Sequence, residues 1–475
     1  MDKFFKISER GSDIKTEIIA GLTTFFAMAY IVVVNPNQVT GFTPELGQIW
    51  NAVYVASILV AVIGTLLMAF LARMPYAQAC GMGLNSFFFV CFVLPEVLKG
   101  AEGNPVLGYQ AGCVIILLEG ILFLILSATG IRQAMAKALP DCLKKAIPAG
   151  IGLFIAFIGF KNVGLIQANQ YTFVQFFDFH GALTSAPGPM EAWTAIAPVV
   201  LTFIGFILIG VLNKKNVKGS IIITIIAVTV LYYLSTWTLP NFDFSQIGAS
   251  FQDFGAIGVT GLFSADPWLH AFGGFADAGV IINAVILIIV FCLVDMFDTL
   301  GTLYGAASEA GLIDENNDPI DVDKCMLCDS VATVCGGIFG TSTCTTFVES
   351  SAGVAAGGRT GLASVVTAIC FALCLVLTPL ASIVPACATA PALIFVGVLM
   401  CKNIMKVDMV DMQSAVPAFL ALIMMPLTYS IANGIGIGAI AYTLITLFTG
   451  KYTKKDIIVT IIAILFIFKF VFVTM

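Results

Sequence analysis

Charge is what this sequence is short of. Only 11% of its 475 residues are Asp, Glu, Lys or Arg, where a soluble domain carries about 25%. So few charges cannot cover the water-facing surface of a chain this long, and a soluble globular fold is excluded. Histidine is nearly missing too: His180 and His270 are the two present, both in polar connections, so no relay of buried histidines is available. Neither H-E-x-x-H nor G-x-G-D occurs, which removes zinc and aspartyl intramembrane proteases and leaves no catalytic residue to name. Cys325 and Cys328 form a C-x-x-C, but no second pair or nearby histidine completes a metal site. Most other cysteines lie in apolar runs, where a thiol behaves as a small hydrophobe. Lys and Arg are absent throughout 162–192 and 219–323.

Apolar residues fill the gap, at 59% of the chain. Runs of the roughly 17–25 residues that cross a bilayer recur from Glu17 to the C-terminus with short polar breaks, so the chain reads as an all-α polytopic membrane protein. The expected spans are 17–34, 50–72, a short one at 84–95, 108–130, 145–166, 193–213 and 217–238. A connection at 239–279 separates these from 280–305, 323–340, a short one at 348–358, 361–383, 386–405, 413–431 and 433–449. A further apolar run occupies 455–473, with Lys469 inside it. The N-terminal "MDKFFKISERGSDIKTE" has no short apolar core with a small-residue cleavage site, and is not expected to be a removable signal. Lys3, Lys6, Arg10, Lys15, Arg73, Arg132, Lys137, Lys144, Lys145, Lys214, Lys215 and Lys218 all fall on one side if the N-terminus is cytoplasmic. The expected location is the plasma (inner) membrane, with lipid around the chain and no nucleic acid among its partners.

The third member of each set is unusual. "QACGMGLNSFFFVCFV" and "GTSTCTTFVESSAGVAAGG" place Gly, Ser and Thr ahead of a short apolar stretch. Interrupted segments at matching places in two halves point to the binding site of an inverted-repeat transporter. "FIGFKNVG" and "VGVLMCKNIM" also echo each other at the fifth members. A repeat of seven segments is odd in number, so its two copies run in opposite directions. Unwound backbone at membrane depth survives only where protein buries it or a cavity meets it, and two half-helices meeting at the midplane would frame a polar pocket. The competing reading is that these glycines only let helices pack closely.

Three places put a costly side chain in that setting. Asn85 follows Gly81 and Gly83 in "GMGLNSFF", and its amide offers both donors and acceptors. Asp295 and Asp298 in "VDMFDTL" lie one turn apart on one helical face. Glu349 in "TTFVESSAG" sits about 15 Å deeper than Arg359 if the interval is helical, near the start of the second half-helix, with Ser342, Thr343 and Thr346 able to hydrogen-bond to it. Asn85 alone is also explained by an interhelical hydrogen bond, and Asp298 by an interfacial position. Glu349 has no basic residue at its depth. Acids kept there suit a site that binds a polar substrate and takes up a proton in the same cycle. Phe25 or Phe87 would stack on a ring if not simply core.

These residues also carry a family likeness. "GSDIKTEIIAGLTTFFAMAYIVVVNP", "GMGLNSFF", "VDMFDTLGTLYGAASEAGL" and above all "GTSTCTTFVESSAGVAAGGRTG" resemble the adenine, guanine and hypoxanthine permease branch of the nucleobase cation symporter-2 family. The resemblance implies a 7+7 transmembrane inverted-repeat fold, with two half-helices and short extended stretches meeting at the midplane. It implies core segments at 17–130 and 280–383, gate segments at 131–238 and 384–449, a cytoplasmic 1–16 and an extracellular 239–279; the extra C-terminal apolar segment at 450–475 is a departure from the family. It further implies import of purine bases by proton symport, an elevator-type movement, often a homodimer, and no cofactor. Purine-contacting positions fall on Asn85, Asp295 and Glu349, with Gly83 as the backbone that approaches the base. Proton-linked positions fall on Asp298, Glu349 and Asp295. The alternative is a same-fold carrier of xanthine, uracil or an organic anion, with sodium as coupling ion; an anion carrier would want a basic residue where this chain has three acids.

Overall fold

The computed structural model describes residues 2–129, 140–215, 217, 219–240, 242–276, 278–310, 312–313, 319–347 and 349–472. Helices dominate because lipid leaves a backbone no partner but itself. The first half runs α1 (Ile14–Val39), α2 (Pro44–Ala72), strand β1 (Gln78–Cys80), α3 (Met82–Leu98), α4 (Pro105–Thr129), α5 (Asp141–Asn162), strands β2 (Ile166–Asn169) and β3 (Phe173–Phe176), α6 (Pro189–Lys214) and α7 (Ser220–Thr236). The second runs α8 (Ala278–Ala310), α9 (Val322–Phe339), β4 (Cys344–Thr346), α10 (Ser350–Ala355), α11 (Gly361–Ala381), α12 (Ala386–Lys406), α13 (Met412–Leu427), α14 (Ile431–Phe448) and α15 (Ile457–Phe472). Among the described residues nine of these helices are long and apolar enough to cross a membrane.

The interruptions read from the sequence are real and have a shared architecture. After α2 the chain turns through Arg73 and extends as β1; after α9 it turns through Gly340, at φ 88°, and extends toward β4. That left-handed backbone costs glycine nothing extra and other residues a good deal. β1 and β4 then pair antiparallel, Gln78 opposite Thr346, Ala79 opposite Thr345 and Cys80 opposite Cys344. The amides of Gly81 and Phe347 continue the ladder by donating to Thr343 O and Ala77 O at 3.1 and 3.0 Å. Each strand is followed by a short helix, α3 or α10, so two chain reversals satisfy each other's backbone within the protein. A third interruption lies in α1, which breaks at Ala29 and Tyr30 between Ile14–Met28 and Ile31–Val39.

Helices α1–α4 and α8–α11 pack mainly on one another, while α5–α7 and α12–α14 form a second bundle. The two meet where α3 and α8 face α5 and where α7 lies against α1. Within the first bundle a Cβ at Gly353 would lie 2.6 Å from Ala20 O, so α10 rests directly on the backbone of α1. At the start of α1, Asp13 caps the helix by accepting from the amides of Lys15 and Thr16. Hydrogen bonds within that cap hold its carboxyl below the usual range, the Thr16 hydroxyl contributing most. The buried Glu17 accepts from the amides of Arg359, Thr360 and Ala363 at 2.9, 3.3 and 3.3 Å, tying α1 to the N-terminus of α11. The connection after α7 is structured: the helix Ser245–Asp253 lies on α2 and Ala265–Ala271 lies on α4. The C-terminal α15 packs on α14, with Phe466 against Gly436 and Lys469 buried.

Candidate functional site

The paired strands carry a network of small polar side chains in a dry interior. Asn85, fully buried on α3, donates to Gln38 Oε1 at 3.2 Å and accepts from the Ser342 hydroxyl. Asn35 on α1 donates to the Ser57 hydroxyl and to Thr341 Oγ1. The broken α1, the first half-helix α3, and the two extended segments, through Cys80 and through Thr341 and Ser342, therefore converge here.

The acids flank this network. Asp295 is fully buried on α8; its Oδ2 accepts from Thr333 Oγ1 at 2.9 Å and its Oδ1 has no partner. Asp298, one turn on, is half-buried within electrostatic reach of Glu349. Glu349 immediately precedes α10 and accepts from the Tyr30 hydroxyl at 2.5 Å. That corrects the expectation that Ser342, Thr343 and Thr346 serve Glu349. They lie in or beside β4, where Ser342 turns to Asn85 and Thr346 receives Gln78 Nε2 at 3.4 Å, while Glu349 lies beyond the strand and faces the break in α1. Thr343 Oγ1 is buried without a partner.

Gly83 sits at the seam between the bundles: a Cβ there would come within 2.4 Å of Ile151 Cγ2 on α5. Phe87 is fully buried against Phe291, ring centroids 4.9 Å apart, and Phe25 packs edge-on against Phe371 of α11. Reading the sequence for isolated acids passed over two of them. Asp329 on α9 accepts from Gln78 Nε2 at 2.9 Å and from Thr299 Oγ1 at 2.5 Å, joining β1, α8 and α9. Glu119 is fully buried on α4. Each is an acid inside an expected span, 108–130 or 323–340, the kind of signal that Asp295 gave. Tyr30 gave no such signal, being an uncharged residue in a span that looks continuous, and Asn35 and Gln38 fall just beyond the expected end of that span at residue 34.

Several buried polar atoms in this region have no hydrogen-bond partner among the described residues: Asn35 Oδ1, Gln38 Nε2, Gln78 Oε1, Asp295 Oδ1 and Thr343 Oγ1. Leaving such a group unpaired costs about 1–3 kcal/mol, so a fold seldom keeps five close to one ladder without a use. They offer both a donor and acceptors, suiting a compact ligand with hydrogen-bonding edges. No three His, Cys, Asp or Glu side chains among the described residues converge as they would on a metal ion.

Residues 15–437 match the Permease family. The chain is 38% identical to the guanine/hypoxanthine permease PbuO of Bacillus subtilis (strain 168), over 97% of this chain and 98% of that protein. It is 37% identical to the adenine permease AdeP of Escherichia coli (strain K12), over 100% of this chain and 96% of that protein. Among solved structures, the transmembrane domain of the cyanobacterium bicarbonate transporter BicA matches with a TM-score of 0.59 at 15% identity, covering 88% of this chain and 97% of that one. SLC26A9 matches with 0.60 at 11% identity, covering 92% and 66%. These likenesses show the 7+7 inverted-repeat fold with core and gate. The chain is a multi-pass membrane protein and belongs to this permease family, the nucleobase cation symporter-2 family, on its adenine, guanine and hypoxanthine permease branch.

Proposed function

We propose that the chain imports purine nucleobases, guanine and hypoxanthine or adenine, by proton symport across the inner membrane. The observation that carries this reading is the set of unpaired buried donors and acceptors beside the β1–β4 ladder. A purine presents donors and acceptors around a flat ring, and a site built to pair with them rejects analogues that lack them. Asn85, Asp295 and Glu349 hold the base, Gly83 lets it approach the backbone, and Asp295, Asp298 and Glu349 take up the proton. The names of PbuO and AdeP, which specify guanine/hypoxanthine and adenine, support the substrate class.

Transport proceeds by movement of a core (17–130 and 280–383) against a gate (131–238 and 384–449), the seam at Gly83 and Ile151 being one contact that slides. The N-terminus is cytoplasmic, and the protein works as a homodimer.

Purified protein in vesicles tests the ion and the base together. Accumulation of labelled purine under an imposed pH gradient, with none under a sodium gradient of equal size, is expected. Accumulation with sodium alone would replace the proton by sodium, and no uptake of any purine under either gradient would remove the substrate assignment.

A further inference from the structure

Glu119 has no place in the site as the sequence presents it. It lies in "VIILLEGILF", 14 residues into the 25-residue α4, about 21 Å along a helix of about 37 Å and so near the middle of the bilayer. Its side chain is fully buried, and neither carboxylate oxygen has a hydrogen-bond partner among the described residues. No other acid among the described residues has both oxygens buried and unpartnered. A lone anion at that depth is among the costliest groups a membrane protein can hold.

Its surroundings connect it to the substrate site. The titratable groups that face it are Asp295 and Cys292 from α8 and Asp329 from α9. Cys91 on α3 faces Lys469 of α15 instead, and Cys113 of α4 pairs with Tyr109. Glu96, Asp266 and His270 gather at the outer end of α4, beside residues 104–110. Among the described residues no cation therefore faces Glu119, and its two nearest ionisable neighbours besides Cys292 are acids. Asp329 is already held by Gln78 and Thr299, while Asp295 keeps Oδ1 unpaired.

The space around it is small. α4 and α9 pack backbone against backbone: a Cβ on Gly120 would lie 2.7 Å from Val334 N, and one on Gly337 2.5 Å from Leu117 N. A sodium ion with its several oxygen ligands does not fit such a contact, whereas a proton needs no room.

We propose that Glu119 is a proton-carrying residue of the transport cycle, behind Asp295 and out of contact with the base. This rests on the proton-symport reading above. While the base is bound the proton rests on Glu119, so that Asp295, which takes up a proton at other points of the cycle, accepts from the base with one negative charge fewer beside it. When the base leaves on the cytoplasmic side, Glu119 returns its proton to that side and takes another from outside before the next load. Like charges cannot both persist in one dry site, so loading of base and presence of the proton become one event.

Vesicles containing wild type or Glu119→Gln test this. Wild type should accumulate purine under an inward proton gradient. Glu119→Gln, which fixes the neutral state, should still exchange labelled for unlabelled base across the membrane at a rate within about threefold of wild type, yet lose gradient-driven accumulation by tenfold or more. A variant that accumulates with the wild-type pH profile overturns the role of Glu119 and leaves symport standing. Wild type with no proton-driven accumulation fails the symport reading itself, and this role with it. Should the variant not reach the membrane, the wild-type protein decides. A hydrophobic carbodiimide, which reacts with protonated buried carboxyls, should label the Glu119 peptide, with at least tenfold less adduct at high pH than at low. No adduct on Glu119 at any pH, with Asp295 or Glu349 modified in the same sample, overturns the proposal.

Discussion

Asn85 uses its amide in two directions, donating to Gln38 and accepting from Ser342, and thereby joins α1, α3 and the segment leading to β4. Removing it strips a base of one partner and leaves two buried groups unpaired. Asn85→Ala should raise the KM for the preferred purine by about fivefold or more, since one lost hydrogen bond at such a site is worth about 1–3 kcal/mol; an unchanged KM in initial-rate uptake would place the base elsewhere. Tyr30→Phe deletes the donor to Glu349. A hydrogen bond to a charged group contributes about 1.5–3 kcal/mol, so affinity should fall about 10- to 100-fold, with Glu349 retained and protein levels unchanged; competition of labelled base by unlabelled base reads this directly. At this scale the sequence was legible where a residue broke the chemistry of its span. Asp295 stood out as an acid following an apolar run, and Glu349 as a deep acid with no basic residue at its level. Glu119 and Asp329 carried the same signal without a neighbouring glycine-rich stretch to draw attention to them. Gln38 and Asn35 are ordinary polar residues, and only tertiary packing decides which way an almost uniformly apolar helix faces.

Elements were legible where composition changed. Gly, Ser and Thr ahead of a short apolar stretch marked both α3 and α10, because a chain that unwinds in lipid must either bury or pair its backbone. The break at Ala29 and Tyr30 was not legible, since "AMAYIVVV" has no glycine or proline at that point and the partner that Tyr30 meets, Glu349, lies 319 residues away. The contact at Gly83 gives a prediction of its own. A methyl there overlaps Ile151 Cγ2, so Gly83→Ala should lower the maximal uptake rate severalfold by jamming α3 against α5. The double variant Gly83→Ala/Ile151→Ala should recover most of it. Equal loss in single and double variants would show that the glycine serves the base rather than the seam. Glu17 tests the link between α1 and α11. Glu17→Ala leaves three amides without an acceptor and should lower the melting temperature of the detergent-solubilised protein by several degrees, without changing which purines compete for uptake.

Across the whole molecule, two bundles meet where α3 and α8 face α5 and where α7 lies on α1, and the polar network with its orphaned atoms belongs to the one built from α1–α4 and α8–α11. The 50.4 kDa chain should elute as a dimer, its mass measured by light scattering with detergent subtracted; a single-chain mass under conditions that preserve uptake would contradict the dimer. Tags before residue 2 and within the β2–β3 hairpin should be reached by protease from opposite sides of sealed vesicles. The most direct test of the account is uptake of labelled hypoxanthine, guanine and adenine at two external pH values, in cells lacking their own purine permeases, for wild type and Glu349→Gln. Uptake that rises with external acidity and is lost in the variant is the predicted result. A well-expressed wild type that takes up no purine at either pH would contradict the substrate assignment and leave only the permease fold.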